Sequence, residues 1–183
     1  MRDISLHILD IAENSIRAGA SLVTISMELD KSKDTLTISI EDNGCGMSEE
    51  VLAKVKSPFV TSRTTRKVGL GIPLFTAGVE STGGSLEIAS SPGNGTKLNA
   101  VYRYSHIDRP PMGDIAETIY TLTLLNPQID FVFSAKKDEA FLYDTREIKA
   151  ALGGVSVSEP EVLRFIREFL QEGIAQVFGG NEI

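Results

Sequence analysis

The chain is expected to fold as an α/β protein, and three features of its 183 residues carry that expectation. Residues of about 3 to 17 repeat apolar side chains at helical spacing. Two stretches between residues 21 and 104 alternate polar and apolar residues in hairpin-like pairs, and a second helix, hairpin and helix pattern follows a proline pair.

The first helix places Ile4, Ile8, Ile11, Ala12 and Ile16 on one side at roughly 100° per residue. His7, Asp10 and Asn14 form a stripe beside that face, and Gly19 stops the helix. "SLVTISMEL" and "DTLTISIED" then alternate around the turn-rich "DKSKD", which reads as a strand hairpin. A Gly-rich turn, "DNGCGM", leads to a short helix over about 48 to 55 and an irregular basic stretch, "KSPFVTSRTTRKVGLG". Pro73 suits the first turn of a helix that runs to the Gly83-Gly84 break, because its fixed φ fits a helix start and its missing N–H would have no partner there. Two more strands, "SLEIASS" and "TKLNAVYRY", flank the turn "PGNG".

At "HIDRPP" the composition changes, which places a domain boundary after residue 105. Beyond it, Ile115, Ile119 and Leu122 mark a helix, "IDFVFSA" and "AFLYDT" a hairpin, and "REIKAAL" a short helix. The final helix opens on a Ser158–Glu161 capping-box pattern, with Phe165 and Phe169 expected in the core. Residues 106–183 therefore read as a small α+β extension that packs on the first domain or meets a partner.

A net charge of −7 argues against nucleic acid or an anionic membrane as partner, since both need a basic surface. One cysteine, Cys45, excludes a disulfide within the chain and a multi-cysteine metal cluster, and His7 and His106 are too few for a histidine-rich zinc site. No apolar run approaches a membrane span, so a soluble, cytoplasmic protein is expected.

Three Gly-x-Gly units stand in order: Gly44-Cys45-Gly46, Gly69-Leu70-Gly71 and Gly93-Asn94-Gly95. A residue without Cβ lets backbone approach a flat base or a phosphate, and free N–H groups at a helix start hold anions. From Val51 to Val79 there is no Asp or Glu, whereas Lys54, Lys56, Arg63, Arg66 and Lys67 all fall there, together with the hydroxyls of Thr61, Ser62, Thr64 and Thr65. That segment suits a polyphosphate. On the first helix, Asn14 is a neutral oxygen ligand suited to Mg²⁺, which takes few protein ligands, and Asp10 one turn earlier is placed to orient or deprotonate a water beside it.

The order "DIAENSIRAGA", "EDNGCGM", "VGLGI", "GNGTKL" resembles the four nucleotide-binding motifs of the GHKL superfamily, which includes gyrase-type topoisomerases, heat-shock chaperones, histidine kinases and mismatch-repair ATPases. The resemblance covers about residues 1–105 and implies a two-layer α/β sandwich of the Bergerat, histidine-kinase-like type that binds ATP or ADP with Mg²⁺ beneath a lid. By that resemblance Asn14 binds Mg²⁺, Arg17 reaches a phosphate, and Asp42 accepts from the adenine amino group. Gly44, Gly46 and Met47 shape the base pocket, Gly69, Leu70 and Gly71 close over the phosphates, and Thr96 approaches adenine through a water. Thr61, Ser62, Arg63 and Lys67 belong to the same phosphate-facing segment.

Two departures shape the functional expectation. The residue one turn before the Mg²⁺ asparagine is Asp10 where hydrolysing members carry glutamate, and Glu13 points about 60° away around the helix, so slow hydrolysis is expected. With nine residues before Asp10, autophosphorylation in cis on an upstream histidine helix pair is not expected, and His7 reads as a local hydrogen-bonding residue. The expected activity is an ATP-dependent protein kinase acting on a separate protein partner; a conformational ATPase that dimerises on ATP and a non-catalytic nucleotide sensor are the alternatives. A homodimer is compatible with either enzyme.

Overall fold

The computed structural model describes residues 3–56 and 71–179. Helix α1 (Ile4–Arg17) starts where Asp3 accepts the Leu6 N–H at 2.9 Å, the side-chain cap that satisfies one of the unpaired donors of a first turn. Strands β1 (Leu22–Asp30) and β2 (Thr35–Asp42) follow as the expected hairpin. Next come α2 (Glu49–Lys56), α3 (Gly71–Glu80), β3 (Ser85–Ser90) and β4 (Thr96–Arg103). The chain continues through α4 (Ile115–Leu125), β5 (Asp130–Lys136), β6 (Ala140–Asp144), α5 (Thr145–Ala151) and α6 (Pro160–Phe178).

The strands form one sheet in the order β3-β4-β2-β1-β5-β6. Every neighbouring pair is antiparallel except β1 and β5, which run parallel with Ile25 opposite Phe133. Strand alternation separates the two faces. Val23, Ile25, Met27, Leu36, Ile38 and Ile40 are buried, whereas Thr24, Ser26, Thr37 and Ser39 between them are only partly covered. Helices α1, α3, α4 and α6 contribute their apolar stripes to the same core, so the molecule is a two-layer α/β sandwich. β5 and β6 extend the sheet past residue 105, and α4 packs against both α1 and α6.

Two details of α6 differ from the sequence expectation. The helix starts one residue later than the capping box requires: Glu159 is the N-cap without a side-chain bond, and Pro160 at the first position removes a donor that the cap would have served. Phe165 and Phe169 are not core residues; they are 55% and 38% exposed, because Ile166, Leu170, Ile174 and Val177 take the inward face and leave the two rings about 100° to one side. Phe165 stacks on Phe169, which tilts against Phe141 of β6.

His7 also departs from expectation. Its ring is buried, stacks on Phe75 of α3 with centroids 4.7 Å apart, and its Nδ1 has no hydrogen-bond partner among the described residues. Burial holds its pKa down at about 4, aided by the positive chain terminus and opposed by Asp10 and Asp3. The folded state thus refuses a proton that the unfolded chain accepts below pH about 6.5, so stability falls as pH drops from 6.5 toward 4. Linkage puts the loss between pH 7 and 5 at about 2 kcal/mol. Urea unfolding of the wild type and His7→Gln over that range checks it, and equal slopes of stability against pH would refute the assignment.

Candidate functional site

Helix α1 runs along one side of a cleft whose floor is β2 and β4 and whose far side carries the starts of α3 and the β2–α2 turn. The cleft encloses a cavity of about 260 Å³ lined by Asn14 and Arg17 of α1, Asp42, Gly46, Met47 and Thr96, with Ile11, Ile40, Val55, Ile72, Ile88 and Leu98 as apolar walls. Such a volume sits at the small end of small-molecule pockets, and an apolar slot with a few convergent polar groups fits a flat heterocycle.

Asp42 is fixed within this slot. Its Oδ1 accepts the Gly44 N–H at 2.9 Å and its Oδ2 accepts the Ser15 hydroxyl at 2.6 Å. The Ser15 hydroxyl oxygen also lies 3.3 Å from the Ile11 carbonyl, but the shorter, charge-assisted bond to the carboxylate is the stronger one. Each carboxylate oxygen keeps a lone pair for a donor from the cavity. Sequence patterning misses Ser15. It directly follows Asn14, so one helical step turns it from the cleft edge to the buried side, where it is 3% exposed.

Two of the glycine turns form a single wall. The Gly93 N–H donates to the Cys45 carbonyl at 2.8 Å. A Cβ on Gly46 would collide with the Ser91 carbonyl oxygen, and one on Gly95 would collide with that of Asp42. The close approach that glycine permits is thus between the two turns themselves. Asn43 ties the wall to the sheet, its Oδ1 accepting the Ser21 and Leu22 N–H groups. Ser90, equally silent in the sequence, links the pieces: it accepts the Met47 N–H at 2.9 Å, donates to the Gly95 carbonyl at 2.8 Å and lies 3.0 Å from the Thr96 hydroxyl.

At the cleft mouth Asn14 Oδ1 accepts from Arg17 Nη1 at 3.0 Å, and Arg17 Nη2 pairs with Glu13 at 2.6 Å. The asparagine oxygen expected to meet a metal is therefore covered by the arginine expected to meet a phosphate. That contact is weakly held: the Arg17 side chain is 65% exposed, and exposed pairs of this kind contribute well under about 1 kcal/mol. Asp10 does not line the cavity. Its carboxylate faces the N-terminus of α3, so close to Gly71 that a Cβ there would lie 2.6 Å from Asp10 Oδ2. A carboxylate at a helix start is electrostatically favoured, and Gly71 is the residue that leaves room for it.

Asn14, Arg17, Asp42, Gly46, Met47 and Thr96 thus share one cavity, with Gly44 holding Asp42 from behind and Asp10 paired with Gly71 beside it. Thr61, Ser62, Arg63, Lys67, Gly69 and Leu70 lie outside the described residues. Among the described residues no cluster of three or more His, Cys, Asp or Glu side chains could chelate a metal, so a cation here would depend on Asn14 and on its ligand's own oxygens. No helix among the described residues is long and apolar enough to cross a membrane.

A family model described as histidine kinase-, DNA gyrase B- and HSP90-like ATPase matches residues 2–105. The non-motile and phage-resistance protein of Caulobacter vibrioides is 31% identical over 117 residues, which cover 59% of this chain and 14% of that protein. The sensor protein kinase FleS of Pseudomonas aeruginosa is 36% identical over 89 residues, 49% of this chain and 22% of its own length. The chain spans less than a quarter of the length of these curated relatives. Among solved structures, the Aquifex aeolicus MutL ATPase domain complexed with ADP superposes with a TM-score of 0.51 at 16% identity, covering 94% of this chain and 70% of that one. At that identity the likeness is one of fold.

Proposed function

Since the chain belongs to the histidine kinase-, DNA gyrase B- and HSP90-like ATPase family, we propose that it is an Mg²⁺-dependent ATP-binding regulator that phosphorylates a separate protein partner. The observation that carries the nucleotide reading is Asp42, a carboxylate anchored by Ser15 and Gly44 with lone pairs left over in an apolar slot. There it would accept the exocyclic amino group of adenine, while Met47, Ile88 and Leu98 exclude water from the ring and Thr96 holds a water at its edge.

Toward the mouth, Asn14 offers a neutral oxygen to Mg²⁺, which when bound would neutralise and align the phosphates. Arg17 must first leave Asn14, and turning its exposed guanidinium outward would carry it to the phosphates. Thr61, Ser62, Arg63, Lys67, Gly69 and Leu70 would close over the phosphate chain. Asp10 is the candidate catalytic residue, orienting an incoming hydroxyl beside the α3 start. Its short side chain suits a partner's hydroxyl, which arrives already positioned, better than a free water. In this reading residues 1–105 are the nucleotide module and residues 106–183 serve contacts.

Incubating the protein with cell extract and ATP radiolabelled in its γ-phosphate tests the proposal. A labelled partner that disappears with Asn14→Ala is the expected result. Release of free phosphate instead would favour the conformational ATPase, and ATP binding with neither product would leave a nucleotide sensor.

A further inference from the structure

The two exposed phenylalanines of α6 lead to a second surface, at the sheet edge away from the nucleotide cleft. The cleft is built on β2, β3 and β4, whereas α5 and α6 lie at the β6 end of the sheet. Between α5 and α6 runs an open groove of about 510 Å³ floored by Ile148, Ala151, Leu152, Val162 and Phe165. Phe165 is more than half exposed, and its stack on Phe169 carries the apolar surface toward β6. A helix has no reason to present two aromatic rings to water at i and i+4 unless something covers them.

The charges around the groove say what that something is. Among the described residues, its ionisable lining is Glu147 on α5 and Glu161 on α6, one on each wall. Along α6, Glu161, Phe165, Glu168, Phe169 and Glu172 recur at helical spacing, so acids and aromatics share one exposed stripe. Neither Glu147 nor Glu161 forms a salt bridge among the described residues. A second copy seated in the same groove would set each carboxylate rim against its twin, in a chain that already carries a charge of −7. A basic partner meets no such cost.

We infer that the α5–α6 groove docks an amphipathic helix of another protein, its apolar stripe on Ile148, Leu152, Val162 and Phe165 and its flanking lysines or arginines on Glu147 and Glu161. Two helices side by side leave a channel for a third, and alternating apolar and basic positions on that third helix would match both floor and rim.

The probe is a synthetic helical peptide of about 18 residues, with leucines at i, i+3, i+4 and i+7 and lysines at the flanks, beside a twin with glutamates at those flanks. Fluorescence anisotropy with the full chain is expected to show binding of the lysine peptide only, weakened by salt. Phe165→Glu, which alters an exposed side chain, and the double variant Glu147→Lys with Glu161→Lys should each weaken binding at least tenfold. Glu87→Lys, a single charge reversal on the opposite edge strand and half the charge change of the double variant, should leave it unaltered. The double variant should also gain affinity for the glutamate peptide. The inference is overturned if the lysine peptide does not bind, if both peptides bind the wild type alike, or if Glu87→Lys weakens binding as much as the groove variants. It is equally overturned if sedimentation finds a dimer that Phe165→Glu splits, because the occupant would then be a second copy.

Discussion

Asp42→Ala is expected to weaken ATP binding by roughly 10- to 150-fold while leaving the fold intact. The magnitude follows from the loss of a hydrogen bond to an ionised acceptor, about 1.5–3 kcal/mol, at 1.4 kcal/mol per factor of ten. The fold survives because Asp42 ends its strand, and the Ser15 hydroxyl it releases still has the Ile11 carbonyl as acceptor. Ser15→Ala should cost less, about three- to tenfold, since it loosens the carboxylate without removing it. Calorimetric titration of ATP with Mg²⁺ into the three proteins decides the matter, with circular dichroism as the control for folding. Equal affinity for wild type and Asp42→Ala would remove the cavity from consideration as the adenine site.

Gly95→Ala is expected to destabilise the protein by about 2–5 kcal/mol and to abolish the nucleotide site with it. Two costs combine. Gly95 has φ of +71°, a conformation that costs an L side chain about 1–2 kcal/mol, and its new methyl would run into the Asp42 carbonyl, an overpacking cost of about 1–3 kcal/mol. Backbone cannot yield as a flexible side chain would, and any movement displaces Asp42. Gly93→Ala provides the comparison: φ is +79° but, its chain neighbours aside, no atom of the described residues lies within 4 Å of its Cβ position, so only the conformational cost of about 1–2 kcal/mol applies. In a chain of this size the difference amounts to several degrees in Tm. Thermal melts showing the two variants equally stable would contradict the close packing of the two glycine turns.

Asn14 is legible in the chain itself because an amide one turn from Asp10 has no packing use on a core-forming helix, whereas Asp42 is legible only through the resemblance of its motif to a family motif. The apolar alternation of β1 and β2 is legible for the complementary reason, that burial demands a period of two. Ser15 is not, since a lone serine on a helix carries no pattern, and only its bond to a strand 27 residues later gives it a role. The family resemblance points Arg17 toward a phosphate, yet in the structure its guanidinium bonds its own neighbours at i−3 and i−4.

Local spacing and residue chemistry in the chain set the type and order of the elements and single out Asn14, while the resemblance of its four motifs to known ones gives the family and Asp42. Tertiary structure alone decided that β5 lies parallel to β1 and that the two glycine turns press on each other. It also decided that Phe165 and Phe169 face outward while His7 is sealed beneath Phe75. Each of these turns on which of several apolar surfaces meet, and residues far apart in the chain settle that together.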